Sequence, residues 1–191
     1  MKLVLASTSP FRKQLLDKLH LPYETDSADV DESPLANEDI EAMVKRLAEA
    51  KARAVADKYP DSLIIGSDQS AVLNNQPLTK PGGFDKAFQQ LKQASGKKII
   101  FQTGLCLLNT STNEVQVACV PYTVVFKNLT DEQITNYLKQ EQPYNCAGSF
   151  KSEALGIALF ERFEGEDPNA LIGLPLIKLV EMLTNQGMAP L

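Results

Sequence analysis

The sequence has few of the residues on which several common enzyme classes depend. Its single histidine is His20, and only three cysteines occur in 191 residues. One histidine near the end of a predicted helix argues against a Ser-His-Asp triad, a Cys-His protease and a histidine-rich zinc site. The Walker-type phosphate loop and the Gly-rich dinucleotide motif are also absent. Any chemistry must therefore use carboxylates, lysines and arginines, with or without a metal ion.

Net charge and cysteine spacing limit the partners and the compartment. The chain has 19 basic and 24 acidic residues, a formal net charge of −5, and this balance gives no long-range attraction for nucleic acid or an anionic membrane. We therefore expect neither as a partner. Cys106, Cys119 and Cys146 contain no C-x-x-C pair, which favours free thiols. With no signal-peptide core and no membrane-spanning run, the sequence predicts a cytoplasmic protein.

The hydrophobic pattern predicts one domain over residues 1–191 that mixes strands and helices. The predicted elements are a buried strand at 3–6, a helix carrying Leu15, Leu16 and Leu19, a short strand near 23, a helix at about 37–59, strands at 62–67 and 71–73, a helix at about 83–95, strands at 98–108 and 115–126, a helix at about 130–140, a strand around 157–160 and a helix from about 174. Strands and helices do not alternate strictly. We therefore predict an α/β or α+β fold around a mixed sheet.

The turn at residues 7–12, Ser-Thr-Ser-Pro-Phe-Arg, is a candidate anion site. It joins the first strand to the first helix, and a helix N-terminus offers free N–H groups and a partial positive charge. Arg12 can add a forked pair of donors. The alternative is simple helix capping beside a solvated arginine, and this motif alone does not exclude it.

Two charged residues occur where the pattern predicts burial. Lys51 lies on the apolar stripe of the second helix, so its ammonium group must either extend to water or meet a buried anion. Asp68 follows the apolar run 63–67, and we expect it to end a buried strand at a sheet edge, where open α/β sheets bind ligands. A buried carboxylate needs a partner, a metal or a chemical task. We therefore expect Asp68 to be functional rather than a turn residue.

The acidic run at residues 29–32 and the Lys80-Pro81 pair are weaker candidates. Carboxylates such as that of Glu32 are suitable ligands for a hard cation such as Mg²⁺, although acidic runs are more often solvated loops. Pro81 restricts the backbone of Lys80 to an extended conformation. A lone Lys-Pro pair in a loop does not by itself indicate a site.

Together these motifs resemble the Maf family of nucleotide pyrophosphatases. The matching segments are residues 7–12, 31–32, 46–48, 51–52, 66–69, 80–81 and 173–176. Within the family the sequence is most similar to the YceF branch, which is associated with hydrolysis of 7-methyl-GTP to 7-methyl-GMP and pyrophosphate. The segments that indicate this branch are residues 66–69, 146–153 and 159–162. Phe11, where many relatives have arginine, suits the branch, whereas Thr79 replaces a common glycine and leaves the path of the Lys80 loop open.

The resemblance implies an elongated two-lobed α/β fold with a central active-site cleft, often as a homodimer. It also implies a role for each candidate residue: Ser7, Arg12, Lys51 and Lys80 for the nucleoside triphosphate, Glu32 and Asp68 for a divalent metal cation (Mg²⁺ or Mn²⁺), Asp68 as general base, and Phe11, Gln69 and Glu153 for choice of the base. Whether Asp68 takes the proton itself or only binds the metal stays open. So do a core position for Phe11 and a solvated surface position for Glu153.

Two other functions remain alternatives. A UTP or dTTP pyrophosphatase of the same family would share the phosphate-binding residues and differ in the base pocket. A nucleotide-binding regulator of cell division would bind without rapid turnover. The combination of Glu32 and Asp68 with three cationic side chains favours an enzyme, because binding alone requires no base.

Overall fold

The computed structural model describes all 191 residues and contains seven strands and six helices. The strands are β1 (Lys2–Leu5), β2 (Glu24–Thr25), β3 (Ser62–Leu73), β4 (Gln76–Leu78), β5 (Lys98–Asn109), β6 (Glu114–Phe126) and β7 (Phe160–Gly165). The helices are α1 (Pro10–Asp17), α2 (Ile40–Val55), α3 (Phe84–Ala94), α4 (Asp131–Glu141), α5 (Pro168–Ile172) and α6 (Leu176–Asn185). Short 3-10 turns cover Ala56–Lys58, Ala147–Ser149 and Leu155–Leu159. This mixture confirms the α/β prediction.

All seven strands belong to one mixed sheet. Its order is β2-β1-β3-β5-β6-β7, and β4 pairs with β3 outside this path. Strand β1 runs parallel to both β2 and β3, whereas the pairs β3 with β4 and β6 with β7 are antiparallel. The predicted mixed sheet is therefore confirmed. No helix has both the length and the apolar character needed to cross a bilayer.

The prediction that a strand ends at Asp68 is wrong. Strand β3 continues through this residue to Leu73, so Asp68 lies in the middle of a strand. Its polar residues do not end the strand because their side chains find partners inside the protein. The Ser67 hydroxyl lies 2.9 Å from the carbonyl oxygens of Gly104 and Gly173, and Asp68 accepts a hydrogen bond from Lys51.

The strand predicted around residues 157–160 is also wrong. Leu155–Leu159 form a 3-10 turn, and β7 begins only at Phe160. The side chain of Glu141 accepts a hydrogen bond from the backbone N–H of Leu155 at 3.2 Å. This bond holds the start of the turn against α4, and the backbone N–H of Ile157 bonds to the carbonyl oxygen of Ala154 within the turn.

The chain divides into two compact units, each built from separate stretches. Unit 1 contains Met1–Gln69, Gln102–Val120 and Asp167–Leu191, and unit 2 contains Ser70–Phe101 and Pro121–Glu166. Most of the predicted site residues belong to unit 1. Lys80 and Glu153 belong to unit 2.

Two apolar clusters form the core of unit 1, one for each set of alternating side chains on β1. Leu3 and Leu5 pack with α1 and with residues of the C-terminal stretch, including Leu179 and Leu183. The intervening Val4 packs in the second cluster, which is formed with α2. This alternation is the period of two expected of a strand with both faces covered.

Two glycines allow α2 to lie directly against the sheet. A β-carbon at Gly66 on β3 would overlap the carbonyl oxygen of Ala48, and a β-carbon at Gly104 on β5 would overlap that of Val44. Close backbone approach, rather than a left-handed conformation, therefore explains both glycines. Because Lys51 follows Ala48 by one helical turn, this contact also sets how close the backbone of Lys51 lies to β3.

Unit 2 has an aromatic core that anchors the segment before Glu153. The ring of Phe150 makes edge-to-face contacts with Phe101, Phe126 and Phe160, with centroid distances of 5.6, 5.5 and 4.9 Å. Aromatic pairs favour this geometry because the positive ring edge meets the negative ring face. Phe150 therefore fixes the backbone three residues before Glu153.

Candidate active site

The ammonium group of Lys51 contacts the carboxylates of both Asp68 and Glu32. The Lys51 Nζ lies 2.6 Å from Asp68 Oδ1 and 2.6 Å from Glu32 Oε1. The side chains of Lys51 and Asp68 are only 11% and 12% exposed, whereas that of Glu32 is 61% exposed. Lys51 therefore meets a buried anion rather than extending to water. This cluster therefore places two carboxylates around one ammonium group.

Arg46 holds the loop that carries Glu32. It makes a forked pair of bonds with Glu38, at 2.6 and 2.7 Å, and donates to the carbonyl oxygen of Ser33 at 3.1 Å. The hydrogen bonds from Arg46 lower the pKa of Glu38 to about 2, because they stabilise the ionised carboxylate. Ser33 directly follows Glu32, so this network ties the acidic loop to α2 beside Lys51.

The turn before α1 forms a helix cap and holds an arginine. Ser9 is the N-cap, and its Oγ accepts from the backbone N–H of Arg12 at 3.4 Å. The Ser7 Oγ accepts from the backbone N–H of Ser9 at 3.2 Å and lies 3.5 Å from the Arg12 guanidinium. Arg12 Nε donates to the carbonyl oxygen of Gly173 at 2.9 Å. Capping is therefore present, but Arg12 is not a freely solvated side chain.

Arg12 shares its electrostatic surroundings with the two carboxylates. Burial lowers the pKa of Arg12, and the negative charges of Asp68 and Glu32 oppose that shift. Its only acceptors in the chain are the Gly173 carbonyl and the Ser7 hydroxyl. The guanidinium group therefore keeps N–H donors for a ligand anion.

Gly173 was not among the residues to which the sequence predicts an individual role. Its carbonyl oxygen lies 2.9 Å from both Arg12 Nε and Ser67 Oγ, so it links α1 to β3. Gly173 ends α5 with φ at 120°, a backbone conformation that favours glycine. The available sequence signal is the Gly-Leu-Pro at residues 173–175, which is typical of a helix end.

The side-chain amide of Gln69 is held in one orientation. Its Nε2 lies 2.9 Å from Thr103 Oγ1, 2.7 Å from the Ala170 carbonyl oxygen and 3.2 Å from that of Leu171. Carbonyl oxygens can only accept, so the NH₂ group must face them. The Gln69 Oε1 takes part in none of these bonds and remains an acceptor.

Phe11 lies beside Arg12 on α1 and is 40% exposed. The alternative that it is a core residue is therefore wrong. The side chain is therefore partly open to solvent and to a ligand.

The charges of Lys80 and Glu153, both in unit 2, act on the same thiol. Burial raises the pKa of the Cys146 thiol, and the charges of both Glu153 and Lys80 act on that thiol. Both side chains are exposed. Glu153 accepts from the Ser152 hydroxyl at 3.3 Å, and its exposure agrees with either a ligand contact or a surface charge.

Glu141 restrains the chain on both sides of Glu153. Its Oε1 lies 3.1 Å from Lys151 Nζ, and its Oε2 accepts from the backbone N–H of Leu155. The backbone N–H of Lys151 also donates to the hydroxyl of Tyr137 at 3.1 Å, so hydrogen bonds restrain the backbone two residues before and two residues after Glu153. Exposed as it is, Glu153 therefore projects from a restrained backbone.

The donor set around Lys51 suits a hard divalent ion. Glu32 and Asp68 supply two carboxylates, and nowhere in the chain do three or more His, Cys, Asp or Glu side chains form a cluster. Mg²⁺ is commonly held by one or two carboxylates and takes its other ligands from water and substrate phosphates. These residues therefore fit Mg²⁺ or Mn²⁺ better than a zinc ion, which requires more protein ligands.

Comparison with known proteins agrees with the motifs. A 7-methyl-GTP pyrophosphatase of Alcanivorax borkumensis is 58% identical over 97% of this chain and 94% of its own length. The enzymes of that name from Nitrosococcus oceani and Pseudomonas aeruginosa are 55% and 52% identical, over 97% of this chain and 93% and 96% of theirs. The Ham1 protein of Staphylococcus aureus aligns with 67% of this chain and 73% of its own at 15% identity and a TM-score of 0.47. Residues 2–186 match the family described as Maf-like protein, and the chain belongs to that family.

Proposed function

We propose that this protein hydrolyses 7-methyl-GTP to 7-methyl-GMP and pyrophosphate. The observation that carries the proposal is the set of relatives of that name, which are 52% to 58% identical over 97% of the chain. The charged cluster in unit 1 supports the same reaction, since it joins two carboxylates to a lysine. The two carboxylates also interact electrostatically with Arg12.

Arg12 and Lys51 bind the triphosphate in this proposal. Arg12 is anchored through Nε by Gly173, so its other N–H groups are oriented before a ligand arrives. Fixed positive charge stabilises a phosphoryl-transfer transition state without the cost of reorganising water. We assign Lys80 the same task from its family motif, and Ser7 the task of supporting the guanidinium of Arg12.

Asp68 acts as the general base. As the water oxygen bonds to the α-phosphorus, Asp68 takes the water proton, and the bond from the α-phosphorus to the α,β-bridging oxygen breaks. Pyrophosphate leaves with that oxygen and its electron pair. Lys51 engages Oδ1 of Asp68, which orients the carboxylate. A divalent ion bound by Glu32 and Asp68 would neutralise phosphate charge during this step.

Phe11, Gln69 and Glu153 select the base. Methylation at N7 makes guanine positively charged, so the exposed ring of Phe11 gains a cation–π interaction that a neutral pyrimidine lacks. The Gln69 Oε1 and the Glu153 carboxylate both accept hydrogen bonds, which matches the N–H groups on the guanine edge. Uracil and thymine offer a different pattern of donors and acceptors.

The proposal is tested by incubating nucleoside triphosphates with Mg²⁺ or Mn²⁺ and separating monophosphate from pyrophosphate. We expect the highest kcat/KM with 7-methyl-GTP, and no reaction in EDTA. Asp68→Asn should lower kcat by about 10²–10⁴, the usual worth of a general base. Asp57→Asn, the same change at an exposed position, is the matched control.

Three outcomes would count against the proposal, each at a different level. Higher kcat/KM with UTP or dTTP would overturn the choice of base and leave a pyrophosphatase. Undiminished turnover in metal-free buffer would overturn the role of the divalent ion. Binding without release of pyrophosphate from any nucleotide would overturn the enzyme and favour the regulator.

We also propose a cytoplasmic location, supported by three cysteines that are all unpaired. A reducing compartment keeps such thiols free. The homodimer implied by the family resemblance stays a prediction, which sedimentation of the purified protein would test.

A further inference from the structure

Gln90 on α3 joins the two segments of unit 2 that carry Lys80 and Glu153. Its Nε2 donates to the carbonyl oxygen of Thr79 at 2.9 Å, and its Oε1 accepts from the hydroxyl of Ser149. Thr79 directly precedes Lys80, and Ser149 lies four residues before Glu153. One side-chain amide thus bridges both segments.

The loop that carries Lys80 is held at its two ends. It connects β4 to α3 and has no regular structure of its own. On the far side of Lys80, the backbone N–H of Gly82 donates to the carbonyl oxygen of Tyr144 at 3.0 Å. Pro81 lies between these points, and it fixes its own φ and has no N–H to donate. On the near side, Gln90 supplies the side-chain restraint at Thr79.

The Ser149 end of the bridge is well defined. Ser149 is fully buried and has a φ of 63°, and it follows Gly148, whose φ is 77°. A left-handed conformation is uncommon for serine and persists only where surrounding contacts hold it. The hydroxyl bond to Gln90 and the backbone bond from Ser149 to the Cys146 carbonyl supply such contacts. Because Ser149 is fixed, the amide of Gln90 has a firm anchor.

We propose that Gln90 is a positioning residue that holds Lys80 in place to bind the substrate triphosphate, an inference that rests on the proposed function. Gln90 acts through the Thr79 carbonyl and needs no contact with the substrate. The Lys80 side chain is flexible, so its ammonium group samples a region whose centre is set by the backbone, and a shift of that backbone moves this region away from the triphosphate.

The test uses two substitutions of Gln90. Gln90→Glu keeps the length and the acceptor for Ser149 but loses the donor for Thr79. Gln90→Asn keeps the amide without added charge but is too short to reach both partners. Both should lower kcat/KM for 7-methyl-GTP by about 10-fold or more, since small misplacement of a binding group is costly in rate. Gln89→Glu makes the same charge change at the exposed neighbouring position of α3 and should stay near wild type.

A double-mutant cycle with Lys80→Met separates positioning from general damage. If Gln90 acts through Lys80, Gln90→Glu and Gln90→Asn should have no further effect on the Lys80→Met protein. The same fold-loss in both backgrounds would overturn the inference, as would wild-type kcat/KM in both Gln90 variants. Full activity of Lys80→Met would instead overturn the role of Lys80 in the proposed function, which separates the two failures.

Discussion

The buried pair of Lys51 and Asp68 allows the cost of an unpaired charge to be measured directly. Lys51→Met keeps the apolar stem and removes the ammonium group, which leaves the 12% exposed carboxylate of Asp68 without its partner. Glu32 is 61% exposed and returns to water. Removing one member of a buried ion pair costs about 3–5 kcal/mol.

The reverse change should cost less because Lys51 has a second partner. Asp68→Asn leaves the ammonium group with Glu32, so we expect a loss of about 1–2 kcal/mol, the worth of a charge-assisted hydrogen bond. The double variant no longer buries an unpaired carboxylate. Its loss should therefore be smaller than the sum of the two single losses by about 1–3 kcal/mol.

Urea unfolding followed by far-ultraviolet circular dichroism at neutral pH measures all three variants. Lys58→Met, at a largely exposed lysine, is the control and should change stability by less than about 0.5 kcal/mol. If the loss of unfolding free energy in the double variant equalled the sum of the two single losses, the reasoning would be refuted, because Lys51 and Asp68 would then not stabilise each other. A Lys51→Met protein as stable as wild type would refute it as well.

Three further predictions concern residues around the site. The pKa of Glu38 is lowered from 4.5 to about 2, so the stability it contributes is complete above pH 4.5 and is lost as pH falls toward 2. Glu38→Gln should remove that contribution, and the difference in urea midpoint from wild type should shrink over the same range. Thr103→Val should remove one of the three contacts of the Gln69 amide and leave those to the carbonyl oxygens of Ala170 and Leu171. The preference for 7-methyl-GTP over UTP, measured as a ratio of kcat/KM values, should therefore fall by less than about 10-fold while total turnover persists. Gly66→Ala should push α2 away from the sheet and lower the free energy of unfolding in urea by about 1–3 kcal/mol. Activity should fall as well because Lys51 moves with α2. Unchanged stability and activity would contradict the close contact.

Hydrophobic periodicity predicted the long elements because each packs along one regular face. The stripe on α2 and the capping box before α4 are local signals, and both elements are present. The short α5 and the turn at Leu155–Leu159 were missed. Elements of about one turn have too few residues to show a period, and the turn depends on Glu141, which is distant in sequence.

Charge on an apolar stripe identified Lys51 as a candidate site residue, but it did not identify the partner of Lys51. Lys51 stands out because nothing else on its helix face is charged, and burial forces it to find an anion. A contact with a buried anion was one of two open possibilities, and the sequence did not indicate that Asp68 is this anion. The position of Asp68 inside β3 could not be predicted, because a run of polar residues looks the same at a strand end as in a strand whose partners come from elsewhere. Gln90 gave no signal, since its partners lie 11 and 59 residues away.

The way unit 1 is assembled has a consequence for biosynthesis. Leu3 and Leu5 of β1 share a core with Leu179 and Leu183 of α6, so β1 leaves the ribosome well before the helix against which it packs. Until the stretch Asp167–Leu191 emerges, those leucines have no complete apolar environment and rely on transient burial or on chaperones. Contacts of such long sequence separation also slow folding, because a large loop must close before they form. Unit 1 must therefore finish folding after translation of this stretch, whichever of its local elements form earlier.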